Sequence, residues 1–183
     1  MGKMILAMNV SVDGYVDDLE GTLAMGPPSA AHFRYWIETI RGHAGAIYGR
    51  RMYELMHYWD EDRPEWDAPQ REFAAVWRRM PKWVVSSTLT SVGPNATLVR
   101  DDAEALFRQV AEETDGIVSV SGPELAGLAA RMGLIAEYHL HLRPVVLGSG
   151  KPFFPASTPP LRLVSSTKID EDTLHLVYAP RTE

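Results

Sequence analysis

Two adjacent arginines, Arg50 and Arg51, follow an apolar run and a glycine in the stretch GAIYGRRMYEL, residues 45–55. A guanidinium fork matches the geometry of a phosphate, so a pair of forks at the mouth of a helix suits an anion. Two more junctions have a similar make-up: VSSTL at 85–89 and VSGPEL at 120–125. Each closes an apolar run with small residues. The first and third pass directly into helix-forming sequence, and the second turns before a looser segment. Free backbone N–H groups at a helix start, together with the positive end of its dipole, form a phosphate site. Gly49 and Gly122 would allow backbone to approach a pyrophosphate closely, and the hydroxyls of Ser86 and Ser87 could donate to further oxygens. Any one junction is equally well a strand ending in small residues beside solvated arginines. Three in one chain point toward a dinucleotide.

Neither standard nucleotide fingerprint is present. GSGKPF at 148–153 begins as G-x-G but lacks the third glycine and a following helix, and there is no Walker A motif. YHLHLR places His139, His141 and Arg143 on one strand face. Two histidines could ligate a metal, but no third ligand is evident nearby, so a polar strand face or a subunit contact is expected and no metal site is. Trp36, Trp77 and Trp83 fall at core positions, whereas Trp59 and Trp66 sit in the irregular, acidic stretch HYWDEDRPEWD (57–67). That stretch suits a lid or a packing or dimer contact.

These residues need elements to hold them. KMILAMNV reads as a strand buried on both faces, and SVDGYVDDLEG as a turn around a second short extended piece. Ser29 caps a helix with Phe33, Trp36, Ile37 and Ile40 on one face, ended by Gly42. GAIYG is a strand feeding a short helix from Arg50. Asp67 and Gln70 form a capping box with Pro69 in the first turn, and Pro81 stops that helix. KWVVSS and ATLV are strands. Asp101 or Asp102 caps AEALFRQVAEET, closed by Gly116; IVSVSG is a strand, and PELAGLAARMG a helix. LIAEYHLHL and PVVLG are expected to be extended, and LRLVSSTKI, DED, TLHLVYA to close as a hairpin. Alternation of strands and helices followed by a hairpin describes one α/β domain over 1–183. Its sheet is mixed and mainly parallel, with an antiparallel C-terminal edge.

The chain has 183 residues, 45% hydrophobic and 23% charged, which is ordinary for a globular domain with a substantial core. Its net charge of −6 argues against a general binder of nucleic acid or anionic membrane. The absence of cysteine removes disulfides, thiolate metal sites and cysteine nucleophiles. Asn9 and Asp13 interrupt the first apolar run too early for a secretory signal, and no run approaches the roughly 18 apolar residues of a membrane span. A cytoplasmic protein is expected.

SVDGYV (11–16), YGRRMYE (48–54), WVVSSTL (83–89) and the long block VSGPELAGLAARMGLIAEYHLHLRPVVLGSGKPFF (120–154), in that order, resemble the dihydrofolate-reductase-like superfamily. The similarity covers nearly the whole chain. It is closest to the reductase domain of the bifunctional riboflavin-biosynthesis deaminase-reductases. The resemblance implies NADPH as cofactor, a small-molecule substrate and a homodimer. It assigns Gly49, Arg50 and Arg51 to the adenosine phosphate end, Ser86, Ser87 and Thr88 to the 2′-phosphate, and Ser121, Gly122, Pro123, Glu124 and Leu125 to the pyrophosphate turn. It also puts Ala7 near the nicotinamide and Asp13 on the loop facing substrate. Met52 stands where relatives commonly have threonine, and Ser121–Gly122 where they have a glycine pair.

The expected activity is therefore NADPH-dependent reduction of a small heterocyclic (pyrimidine- or pterin-like) or carbonyl-type compound. Asp13 or a bound water would supply the proton. Asp13 is equally a turn residue before Gly14. The rival readings are a non-catalytic nucleotide-binding dimeric scaffold and a true dihydrofolate reductase. The second is disfavoured because PPSAAHFRYW (27–36), where the first helix starts, has no Asp or Glu.

Overall fold

Eight strands lie side by side in one twisted sheet, and the order in which they do so decides where the three junctions meet. The computed structural model describes residues 2–18, 20, 25–154 and 157–181. Along the chain these form β1 (Lys3–Ser11), β2 (Tyr15–Asp17), α1 (Ala30–Arg41), β3 (His43–Gly49), α2 (Arg50–Met56), a 3-10 turn at His57–Trp59, and α3 (Ala68–Arg79). There follow β4 (Lys82–Val85), β5 (Ala96–Val99), α4 (Ala103–Glu113), β6 (Ile117–Ser121) and α5 (Pro123–Arg131). The chain ends with β7 (Ile135–Arg143), β8 (Lys151–Pro152), β9 (Leu161–Lys168) and β10 (Leu174–Pro180).

The sheet order is β5-β4-β3-β6-β1-β7-β10-β9, with β2 and β8 forming a separate two-stranded ribbon. The pairs from β5 through β7 are parallel; β10 is antiparallel to β7 and to β9. The fold is thus α/β with a mixed, mainly parallel sheet and an antiparallel C-terminal edge, as expected.

Helices cover both faces, which is why β1 shows no polar alternation through Met4, Ile5, Leu6 and Ala7, all buried. On one face Met4, Leu6, Val10, Val120 and Phe107 form a core under α4 and α5. On the other, Ile37, Tyr48, Phe73, Trp77 and Val84 form a second core under α1 and α3. Local signals produce the helices at their expected places. The Ser29 side chain accepts from His32 N–H, Asp67 and Gln70 form the reciprocal box, and Asp102 is the residue that caps α4.

One extended segment differs from expectation. Residues 144–148 form no strand, because they are pinned across the β1–β2 turn: Val12 N–H donates to Val145 O, and Leu147 and Gly148 N–H donate to Asp13. The GSGKPF stretch has a structural duty. A Cβ on Gly150 would lie 2.1 Å from Asp17 O, so only glycine lets this segment pair with β2. Among the described residues no helix is long and apolar enough to cross a membrane.

Candidate functional site

The strand order brings the three junctions together. β4, β3 and β6 are neighbours running parallel, and their register aligns Gly49 with Val85 and Tyr48 with Ser121. Their carboxyl ends form one edge, the place where open α/β sheets bind ligands. Gly49 lies beside Leu125, since a Cβ there would be 3.5 Å from the leucine side chain. α1, α3 and α4 each start with a side-chain cap, whereas α2 and α5, which start at this edge, have none. Their first N–H groups are left for another acceptor. Gly122 has φ 115° and nothing within 4 Å of the position of a Cβ, so its turn opens on free space.

Side chains around this edge divide by duty. Arg50 and Arg51 are exposed; Arg50 pairs with Glu54 at 3.2 Å, a weak surface pair that a phosphate could replace. Ser87 and Thr88 are exposed, but Ser86 is buried; its Oγ accepts N–H bonds from Thr88 and Leu89 and lies within hydrogen-bond reach of the Thr88 hydroxyl at 3.4 Å. Ser86 therefore shapes the turn instead of offering a free hydroxyl, because a buried Oγ must satisfy local donors first. Pro123 is buried, while Glu124 is exposed and forms an ion pair with Lys151 at 2.8 Å. That pair lowers the Glu124 pKa through its hydrogen bond and charge. The exposed cations, the exposed Ser87, the uncapped helix starts and the open glycine turn together fit the phosphates of a dinucleotide.

Asp13 sits elsewhere. Its carboxylate accepts backbone N–H bonds from Leu147 (3.1 Å) and Gly148 (2.7 Å), and hydrogen bonding, Ser11 foremost, holds its pKa below the usual value. A carboxylate kept ionised this way clamps a turn and is a poor proton donor. Of its two sequence readings, the turn residue matches this geometry.

Next to the edge is a cavity of about 310 Å³. Its floor is one face of the sheet: Ala7 and Asn9 of β1, His43 and Tyr48 of β3, Ser119 and Ser121 of β6. Its roof is aromatic and thioether, with Phe33 and Trp36 of α1, Met52 and Met56 of α2, Trp59 and Phe73. Ala7 and Ser121 thus lie at the cavity, as does Met52. Trp59 belongs to the acidic stretch and packs against Phe73 and Trp66 with ring centres 4.7 and 5.1 Å apart, so that stretch folds back as part of the roof. Asn9 Oδ1 and His43 Nδ1 are buried without a hydrogen-bond partner.

Behind the cavity is a feature the sequence suggested only in part. His139, His141 and Arg143 do share one face of β7, and they meet His32 and Tyr35 of α1 and His175 of β10. Arg143 can only donate, so its bond to His32 Nδ1 (3.1 Å) puts the His32 proton on Nε2, which donates to His141 Nδ1 (3.3 Å). Likewise Tyr35 donates to His175 Nδ1 (2.7 Å), His175 Nε2 to His139 Nδ1 (3.1 Å), and His139 Nε2 to Glu137 (3.0 Å), which also pairs with Lys3 at 2.6 Å. Both ring nitrogens of His32, His139 and His175 are satisfied in the neutral form, and His141 accepts at Nδ1. Burial first, then neighbouring positive groups, pull His32, His43 and His175 down to about 4 and His141 lower still. Among the described residues no group of three or more His, Asp or Glu side chains is arranged to hold a metal.

A model of the RibD C-terminal domain family matches residues 2–175. The chain is 26% identical to the uncharacterized protein YyaP of Bacillus subtilis strain 168, over 96% of this chain and 94% of that one. In structure it is similar to the diaminohydroxyphosphoribosylaminopyrimidine deaminase/5-amino-6-(5-phosphoribosylamino)uracil reductase of Thermotoga maritima. That match has a TM-score of 0.69 at 12% identity, over 98% of this chain and 57% of that longer one. It is also similar to a dihydrofolate reductase of Enterococcus faecalis complexed with NADP(H), with a TM-score of 0.64 at 13% identity, over 97% and 95% of the two chains.

The neutral histidine cluster makes a prediction about acid. Well above pH 6.5 these histidines are neutral in folded and unfolded chains alike. As pH falls from 6.5 toward 4 the unfolded chain binds protons that the folded chain refuses, so stability declines by up to about 1.4 kcal/mol per pH unit for each histidine. Urea denaturation at steps between pH 7.5 and 4.5 should show that decline. His32→Gln should flatten the slope; a slope unchanged from wild type would contradict this assignment.

Proposed function

The chain belongs to the RibD C-terminal domain family, and on that premise we propose that it is an NADPH-dependent reductase of a small heterocyclic or carbonyl-type compound. The observation that carries this reading is the single edge where β4, β3 and β6 end. Two uncapped helix starts and the Arg50–Arg51 pair meet there, beside a cavity with Ala7 in its floor. Arg50, Arg51, Ser87 and Thr88 would hold the adenosine phosphates, and the N–H groups of the Gly122–Leu125 turn the pyrophosphate. When bound, the cofactor supplies a hydride. The protein's own part is to orient the acceptor between aromatic roof and polar floor and to keep bulk water out. Since Asp13 is committed to backbone donors, water supplies the proton in this reading. Riboflavin biosynthesis, with a pyrimidine as substrate, and a cytoplasmic setting belong to the same proposal, as does a homodimer. A non-catalytic dimeric scaffold would bind nucleotide without consuming it, so hydride transfer separates the two readings.

NADPH should bind more tightly than NADH. Arg50→Ala or Arg51→Ala should weaken NADPH by about 1.5–3 kcal/mol and NADH much less, if each makes a charged bond to phosphate. Calorimetric titration giving equal wild-type affinities for both cofactors would remove the 2′-phosphate assignment.

The chain should also be a poor dihydrofolate reductase. α1 has no acidic residue in its first turn, and His32 there is buried, neutral and bonded to Arg143. Lack of a positioned acid typically costs about 10²–10⁴-fold. Steady-state NADPH oxidation with dihydrofolate at a kcat/KM of about 10⁶ M⁻¹s⁻¹ or more would contradict this.

The strand β9 lies at the sheet edge with Leu163 and Val164 exposed, a surface that a second copy could cover. Light scattering at micromolar concentration should give about twice the chain mass of 20.4 kDa; a monomer mass would exclude the dimer.

A further inference from the structure

Trp59 closes the cavity from a place with little regular structure of its own. It ends the 3-10 turn at His57–Trp59, and the stretch that follows carries Asp60, Glu61, Asp62, Glu65 and Asp67 before α3 begins. In a chain of net charge −6 such a run is repelled by itself and by the surface around it. Ring contacts draw the indole inward: its centre is 4.7 Å from that of Phe73, 5.1 Å from Trp66 and 6.1 Å from Phe33. Contacts of this kind tolerate sliding, since aromatic pairs are stable over a range of offsets. They bury the ring without fixing it.

Arg78, in the last turn of α3, supplies the missing restraint. Its Nε donates to the carbonyl oxygen of Trp59 at 2.7 Å, its Nη1 pairs with Asp62 at 2.9 Å, and its guanidinium carbon lies 5.9 Å from the centre of the Trp66 ring. The Asp62 side chain is 76% exposed, so that ion pair is worth little. The bond to Trp59 is partly buried and has a charged donor, which makes it the stronger restraint. The anchor is itself held. Buried Lys82 of β4 donates to the carbonyls of Trp77, Arg78 and Met80 at 2.8, 3.4 and 2.7 Å, and Asn95 Nδ2 donates to the Arg78 carbonyl at 3.2 Å. These are carbonyls that the end of a helix leaves open. A line of polar contacts thus runs from the sheet through the end of α3 to the roof, and Arg78 itself does not line the cavity.

We propose that Arg78 is a positioning residue: through the carbonyl of Trp59 it holds the indole over the cavity, and so fixes how an acceptor ring lies above the floor that carries Ala7. The proposal rests on the reading of the cavity as the substrate site of a reductase. Arg78 touches no reacting atom, so its loss acts on alignment. A misplacement of about 1 Å can cost about 10²-fold in rate. Binding suffers less, because the apolar surfaces that bury the acceptor remain.

Two readouts test it. The first uses protein labelled with 5-fluorotryptophan, the Trp59 signal being assigned through Trp59→Phe, and measures the D2O-induced fluorine shift, which reports exposure of the ring. The second is steady-state NADPH oxidation with 5-amino-6-(5-phosphoribosylamino)uracil as the probe acceptor. In Arg78→Met the Trp59 ring should become more exposed, and kcat should fall about tenfold or more while KM changes by less than about threefold. Asp62→Asn, which removes the ion pair and keeps the carbonyl bond, should leave both readouts near wild type. Arg78→Lys, with a donor of similar reach, should recover most of both. Urea midpoints identify a variant that fails to fold, and Arg78→Gln then replaces Arg78→Met. An unchanged Trp59 signal in folded Arg78 variants overturns the proposal, as do an unchanged kcat or effects that Asp62→Asn reproduces in full. Absence of NADPH oxidation by the wild type counts against the reductase reading, and the fluorine signal then decides alone whether Arg78 holds Trp59.

Discussion

A guanidinium buried without a carboxylate partner governs one side of this molecule. Arg143 ends β7 at 8% exposure, and among the described residues no acid lies within ion-pair distance. A buried cation must be solvated by something, and here the solvating groups are the carbonyls of Met25 and Pro27 and the Nδ1 of His32. Those contacts tie the segment before α1 to the sheet. Ser29 then caps α1 and donates its own hydroxyl to Asp170 in the β9–β10 turn. α1 is thereby laid across β7 and β10, with Trp36 stacked on His141 at 4.1 Å. The roof of the cavity follows from that placement.

The same constraint adds to burial in keeping His32 neutral. A protonated His32 would put a second positive charge beside Arg143 in a buried setting. Its pKa is accordingly drawn down by burial and by that guanidinium. Once His32 must accept from Arg143, the proton positions along the rest of that chain are set by donor arithmetic. The cluster is then a polar layer between α1 and the sheet, where other parts of this face have apolar packing. Its members serve to hold α1 in register and do not take up charge at neutral pH.

The binding edge obeys a different logic. Helices that serve packing are closed by Ser29, Asp67 and Asp102, whereas the helices that start at the edge begin at glycines and are open. Edge and cavity share β3 and β6: Tyr48 and Ser121 line the cavity, and the next residues, Gly49 and Gly122, start the uncapped helices. Edge and cavity therefore adjoin through consecutive residues of two neighbouring strands.

Caps, helix faces, strand runs and the three small-residue junctions were legible in the sequence because their physics is local. The Ser29 bond to His32 N–H and the Asp67–Gln70 box each span three residues. The chain's resemblance to a known fold was legible from motif order alone. Ser86 and Asp13 show where local reading stops: both have the right chemistry for a ligand, but nearby or distant backbone N–H groups claim their oxygens. The neutral floor of the cavity and the histidine cluster could be seen only in the folded chain. His32 meets His141 across 109 positions and Arg143 across 111, and such contacts depend on strand order and on how α1 packs. Residue types and their local spacing came from the sequence itself. Which polar groups remain free for a ligand was decided by tertiary structure, because satisfying a buried donor or acceptor is settled by whichever partner the fold brings near.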